Sequence, residues 1–255
     1  MYGYFDLADK IKRYFTLSRD ELRAMIVVIL AAAFIISFKE WGPGDVFDFS
    51  YGISRFIIFL IIAGITVFVH VAAQRIAGLH AGHRTEFRIW WFGIIFGLIL
   101  VIITRGMFWL ILPGGILLHH MATHRLGYFR YGTNTMTLAM VSLSGSLANI
   151  ILATLIKTPE IWFGFPISQI YFLDRLVFFN WVYALFNLLP IPPLDGFNVL
   201  YYSRLTYAFI FGSVAGYFLL ILAAGVFSFV YALLIGIAVW LLFMLIFEFD
   251  WWKTI

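Results

Sequence analysis

The chain has no cysteine, only seven prolines, and charge on just 12% of its 255 positions. Each scarcity excludes something. Without cysteine there is no disulfide framework and no thiolate metal site. Seventeen basic and thirteen acidic residues leave a formal net charge of +4, too small and too dispersed for a nucleic-acid binder. The low charge stands against 63% apolar residues, 29 Phe and 9 Trp. A soluble domain runs nearer ~45–50% apolar and ~25% charged, so one water-soluble core of this size is excluded. A disordered chain and a collagen-like fibre are excluded by the same composition. What remains is a membrane protein, and its roughly 160 apolar residues cap the count at about eight helices of ~20 residues.

The uncharged runs are 24–38, 56–74, 89–104, 106–118, 131–156, 176–194 and 205–247. Residues 1–23 mix Lys10, Lys12, Arg13, Arg19 and Arg23 with four carboxylates. They lack the small-residue cleavage site of a signal peptide and read as an amphipathic cytoplasmic or interfacial segment, with Phe5, Leu7, Ile11 and Phe15 on one side. Arg105 and Pro113-Gly114-Gly115 interrupt 89–118, which predicts one span followed by a re-entrant or broken segment. The run 205–247 is too long for one span and predicts a helical hairpin turning near Gly225. The expected fold is all-α: a polytopic transmembrane helical protein of six or seven spans, with 24–255 as a single transmembrane domain. The N-terminal basic cluster and Arg75, Arg84 and Arg88 are separated by two spans. An excess of Lys and Arg marks cytoplasmic segments, so the expected location is the cell membrane with a cytoplasmic N-terminus.

Ionisable residues within a span cost roughly 2.5–3.5 kcal/mol at its centre and so face a partner or a cavity. Two places stand out. His70 and Gln74 lie four residues apart in the second span, on one helix face. From spacing alone they are either a hydrogen-bonded structural pair or part of a site. The second place is Asn187-Leu188-Leu189-Pro190-Ile191-Pro192-Pro193-Leu194-Asp195-Gly196. Its prolines end a helix, and a new one can begin at Pro193, because proline is favoured in a first turn. Asp195 then sits near a helix N-terminus, which favours its ionised form. It is either a cap in a tight turn or a functional carboxylate.

Taken together, these segments resemble the site-2 protease family of intramembrane zinc metalloproteases. A membrane helix with a histidine is followed downstream by an Asn-x-x-Pro-x-Pro-x-x-Asp-Gly turn, met here by Asn187, Pro190, Pro192, Asp195 and Gly196. Ser144-Gly145-Ser146-Leu147-Ala148-Asn149 resembles the family's Gly-Pro-x-x-Asn segment, with Ser146 where proline is usual. Glu86-Phe87-Arg88 and Leu112-Pro113-Gly114-Gly115 are similar to segments of its archaeal branch. The resemblance covers about 56–205, with 205–247 as an appended hairpin.

The resemblance implies a zinc site built from His-Glu-x-x-His plus the later Asp, with the Glu as general base. Here His70 stands at the first histidine, Val71 at the base, Gln74 at the second histidine and Asp195 at the third ligand. A neutral carboxamide is a poor zinc ligand, and a valine moves no proton. General-base catalysis alone is worth roughly 10²–10⁴-fold. The expectation is a proteolytically inactive relative without a cofactor, His70 and Asp195 pairing directly, which acts within the lipid bilayer as a binder of transmembrane helices of other membrane proteins or as a regulatory or assembly partner. Two alternatives stay open: an active zinc endopeptidase with substitute ligands, and a small transporter or structural subunit. Of the other histidines, His80 and His83 read as interfacial. His119, His120 and His124 form either a polar membrane-edge loop or a surface metal cluster.

Overall fold

A computed structural model describes residues 4–42, 47–120, 134–224 and 228–248. Helix α1 (Tyr4–Tyr14) is short and amphipathic. Ser18 then opens α2 (Arg19–Ser37) with a capping box, its hydroxyl accepting from the Glu21 amide while the Glu21 carboxylate accepts from the Ser18 amide. Such reciprocal bonds satisfy two of the donors a helix start leaves open. The charged residues 19–23 therefore belong to the first span and not to a separate surface helix. Helix α3 (Phe49–His80) is capped by Asp48 and runs well past the uncharged run that marks it in the sequence. A tight turn at Gly82, with φ near +79°, leads into strand β1 (His83–Ile89).

The hairpin is the main departure from an all-helical reading. After the short apolar helix α4 (Trp91–Ile103), strand β2 (Gly114–His120) pairs antiparallel with β1, His83 opposite His120 and Ile89 opposite Gly114. The segment expected to be re-entrant is thus a strand, paired along one edge with β1. The run 114–118 is short and apolar, and such a run does not distinguish strand from helix by periodicity alone.

Helix α5 (Thr135–Phe163) and α6 (Tyr171–Asn187) follow. After the proline-rich turn come α7 (Asp195–Tyr202), α8 (Arg204–Ala224) and α9 (Phe229–Phe243). The expected turn residue Gly225 lies outside the described residues. Among the described residues five helices, α2, α3, α5, α8 and α9, are long and apolar enough to cross a membrane. The chain is an all-α multi-span membrane protein with one small hairpin. Of the remaining helices in the expected count, α4 has 13 residues and α6 has 17.

Two apolar clusters hold the bundle. One joins α2, α3 and α6 through Val28, Ala32, Phe59, Ile62, Val67 and Phe179. The other joins α5, α6 and α8 through Ile150, Ala153, Trp181, Ala184 and Val214. Helix α6 contributes to both, which buries its C-terminal end at Asn187 and Leu188, while Pro190–Pro193 of the turn after it are exposed and the chain re-enters the core at Leu194 and Asp195. Helix α9 packs on α8, where Gly212 and Gly216 face Val239 and Ile235. Small residues four apart let membrane helices approach closely.

Candidate functional site

The centre of the bundle is polar. Helix α3 carries His70 and Gln74 one turn apart, and both are buried. Asn187 ends α6, and the chain then turns through Pro190, Pro192 and Pro193, with the Pro192–Pro193 bond cis. The next helix begins at Asp195 with Leu194 as its cap, two residues later than Pro193. Asp195 therefore enters the core from a first helical turn, where the macrodipole favours a carboxylate.

The structure brings the widely separated residues together. His70 Nε2 lies 2.8 Å from Asp195 Oδ2, and Gln74 Nε2 donates to the same oxygen at 2.8 Å. On the other side of the imidazole, the Asn149 amide nitrogen is 3.3 Å from His70 Nδ1. With that amide donating, Nδ1 accepts, so the proton sits on Nε2 and points at Asp195. Gln74 Nε2 also reaches the Ser142 carbonyl at 3.3 Å. The Asn198 amide donates to the Ser142 hydroxyl at 2.8 Å. Each of these residues is buried or nearly so, as buried polar groups with partners can be. Asp195 Oδ1, Gln74 Oε1 and Asn149 Oδ1 make no hydrogen bond among the described residues.

Shape fixes this junction as much as polarity does. Gly145 on α5 lies under the imidazole, and a Cβ there would stand 2.6 Å from His70 Nε2. The Tyr183 ring of α6 meets His70 edge-on at 5.3 Å. A Cβ at Gly196 would strike the Leu188 carbonyl, and one at Gly115 would strike that of Pro193. Those two glycines let the turn fold onto α7 and let β2 lie against it.

Other candidate residues fall elsewhere. Val71 packs in the apolar cluster of α2 and α3. Asn187 donates from its amide to the Tyr183 carbonyl of its own helix at 2.8 Å. Ser146 reaches the Ala184 carbonyl at 3.3 Å and so ties α5 to α6. Glu86 lies on β1, half-buried, bonded to Arg88 at 3.1 Å and to His119 at 3.0 Å. Its burial opposes ionisation, but the bonds from His119 and Arg88 outweigh that and hold it below the ordinary carboxylate value. The side chain of His120 and all of His124 lie outside the described residues. Ser142, Tyr183 and Asn198 escape a motif-based reading. Asn198 sits three residues after Asp195, on the same helix face, and that spacing is its one signal in the sequence.

The chain is 30% identical over 206 residues to the protein named "Putative zinc metalloprotease MJ0611" of Methanocaldococcus jannaschii. The match covers 80% of this chain and 96% of the relative. This chain belongs to that zinc metalloprotease-like family. No family model matches it, and no solved structure does.

Membership raises the question of zinc. A catalytic zinc takes three protein ligands and keeps a fourth position for water. Among the described residues, no three His, Cys, Asp or Glu side chains converge. The junction offers one imidazole, one carboxylate and one carboxamide whose N–H faces the carboxylate. This donor set does not fit the family's catalytic metal, because a neutral carboxamide stands where a third imidazole or carboxylate is needed. What it forms is a hydrogen-bonded link between α3, α5 and α7.

Proposed function

We propose that this chain is a site-2-protease-type member of the family that does not cut peptide bonds, and that it acts by holding a transmembrane helix of another membrane protein. One observation carries the reading. The Gln74 amide and the His70 ring both bond one oxygen, Oδ2, of Asp195, so these three side chains meet one another directly. Val71, at the position of the general base, supports it, because its side chain is committed to apolar packing. Loss of base catalysis and of a metal ligand together remove the water activation on which such hydrolysis depends. An N-terminus on the cytoplasmic side belongs to the same proposal. The basic N-terminal segment and the Arg-bearing hairpin meet at one end of the molecule through Arg75 and Glu21.

The test is metal content together with cleavage. Purified full-length protein is expected to carry no stoichiometric zinc and to leave membrane-helix substrates intact. The paired substitution Val71→Glu, Gln74→His is expected to gain zinc, read by elemental analysis. Stoichiometric zinc in the unaltered protein, with chelator-sensitive cleavage that disappears in His70→Ala, would overturn the proposal and restore the active peptidase.

A further inference from the structure

A cavity of about 450 Å³ lies at the opposite end of α2 from the hairpin, a volume in the ordinary range for small-molecule sites of ~300–1,000 Å³. Its wall is apolar and largely aromatic, made by Ile36, Phe59, Trp109, Phe178 and Phe179. Its rim carries Lys39, Glu40 and Arg175. Lys39 and Glu40 stand at the end of a membrane-spanning helix, whereas Phe59 is ten residues into α3, about 15 Å from that helix's start at ~1.5 Å per residue. The cavity thus runs from a charged mouth at interfacial depth to an aromatic floor at hydrocarbon depth.

The charges at the mouth do not balance. Glu40 is shared by three partners: the Tyr171 hydroxyl donates to it, and Arg55 and Arg175 approach it at 3.9 and 3.8 Å. Arg55 is further engaged between the rings of Tyr51 and Tyr171. Among the described residues no carboxylate lies within ion-pair distance of Lys39. Arg175 is 41% exposed, its Nε is buried without a hydrogen-bond partner, and its one carboxylate contact is the long one to Glu40. Asp174, beside it on α6, does not line the cavity. The mouth therefore has spare positive charge above an apolar floor, the polarity gradient of an anionic amphiphile.

We propose that this cavity binds an anionic phospholipid, with its phosphate at Lys39 and Arg175 and one acyl chain between Phe59, Trp109 and Phe178. The site is separate from the His70–Asp195 junction and does not depend on the function proposed for it. Its physics is that of basic pockets between membrane helices, which select lipid headgroups by charge.

The experiment uses full-length protein, delipidated in a neutral detergent and titrated by native mass spectrometry with short-chain phosphatidylglycerol, phosphatidylcholine and inorganic phosphate. Phosphatidylglycerol is expected to bind at least roughly tenfold more tightly than phosphatidylcholine. Lys39→Gln and Arg175→Gln are each expected to weaken it by about fivefold, the worth of one basic residue at a lipid surface, without changing phosphatidylcholine binding. Ile36→Trp, which fills the floor, is expected to abolish it. If Arg175→Gln fails to fold, Lys39→Gln carries the test, since that side chain is exposed. Equal affinity for the two lipids, or unchanged affinity in Lys39→Gln, overturns the proposal. Inorganic phosphate binding as tightly as phosphatidylglycerol overturns it too, and marks a simple anion site.

Discussion

Gln74 and Arg75 are neighbours in α3, and each anchors a buried junction of a different kind. Gln74, with His70, faces Asp195 across the bundle centre. Arg75 turns the other way and pairs with Glu21 of α2. Its guanidinium also donates to the Thr16 carbonyl and, at 3.2 Å, to the Thr85 carbonyl. Glu21 in turn accepts from the Phe87 amide at 3.1 Å. The ion pair therefore occupies backbone groups of β1 on the edge that β2 leaves open, and an unpaired edge is a hazard that proteins routinely cover. The first junction joins helices through the side chains of Asp195, His70 and Gln74. The second joins the N-terminal segment to the hairpin through two full charges. One helix thus distributes two jobs to two faces, about 100° apart for consecutive residues.

The difference can be broken by substitution, and the charged junction should give the larger effect. Arg75→Leu strands a buried carboxylate at Glu21, and breaking a buried pair from one side costs about 3–5 kcal/mol. The expected result is a large drop in unfolding free energy in detergent, with faster exchange of the Phe87 amide. Adding Glu21→Leu should restore much of the loss, because an apolar pair replaces the ionic one. A single-variant loss below about 1 kcal/mol would show that this junction does not hold the hairpin.

Asp195→Ala leaves His70 Nε2 without its partner, while Gln74 Nε2 keeps the Ser142 carbonyl at 3.3 Å. At ~1–3 kcal/mol for a buried group without a partner, the expected loss is about 1–3 kcal/mol, smaller than the first. An unchanged melting temperature would count heavily against the junction as the link between α3 and α7.

The smallest effect belongs to Glu86, whose ion pairs are half in solvent. Glu86→Gln should cost at most about 0.2–1 kcal/mol, the usual worth of such pairs. Because folding lowers the proton affinity of Glu86, its contribution is present above the ordinary carboxylate value. It fades as pH falls through the lowered folded value. Amide exchange across β1 and β2 should show this acid sensitivity in the unaltered protein and lose it in the variant.

Much of this architecture is written in composition and spacing. Scarce charge and long apolar runs suffice for a multi-span helical protein, because lipid admits few other solutions for a backbone. The i,i+4 spacing of His70 and Gln74, and the prolines before Asp195, mark both halves of the central junction. The hairpin was not legible, since 114–118 is too short for its period to be read. Nor was Ser142, Tyr183 or Asn198, whose roles follow from which helix each one faces.

The sequence by itself determined the membrane class, the positions of most helices and the placing of His70 and Gln74 on one face of a membrane helix. Those are properties of residue type and local period. Only the tertiary structure decided that the Gln74 amide donates to Asp195, that Asn149 meets the other side of the His70 ring, and that Glu21 and Arg75 close the edge of β1. Residues 121 positions apart for Gln74 and Asp195, and 54 for Glu21 and Arg75, are paired by helix packing alone, and no local pattern in a chain encodes which buried donor will meet which buried acceptor.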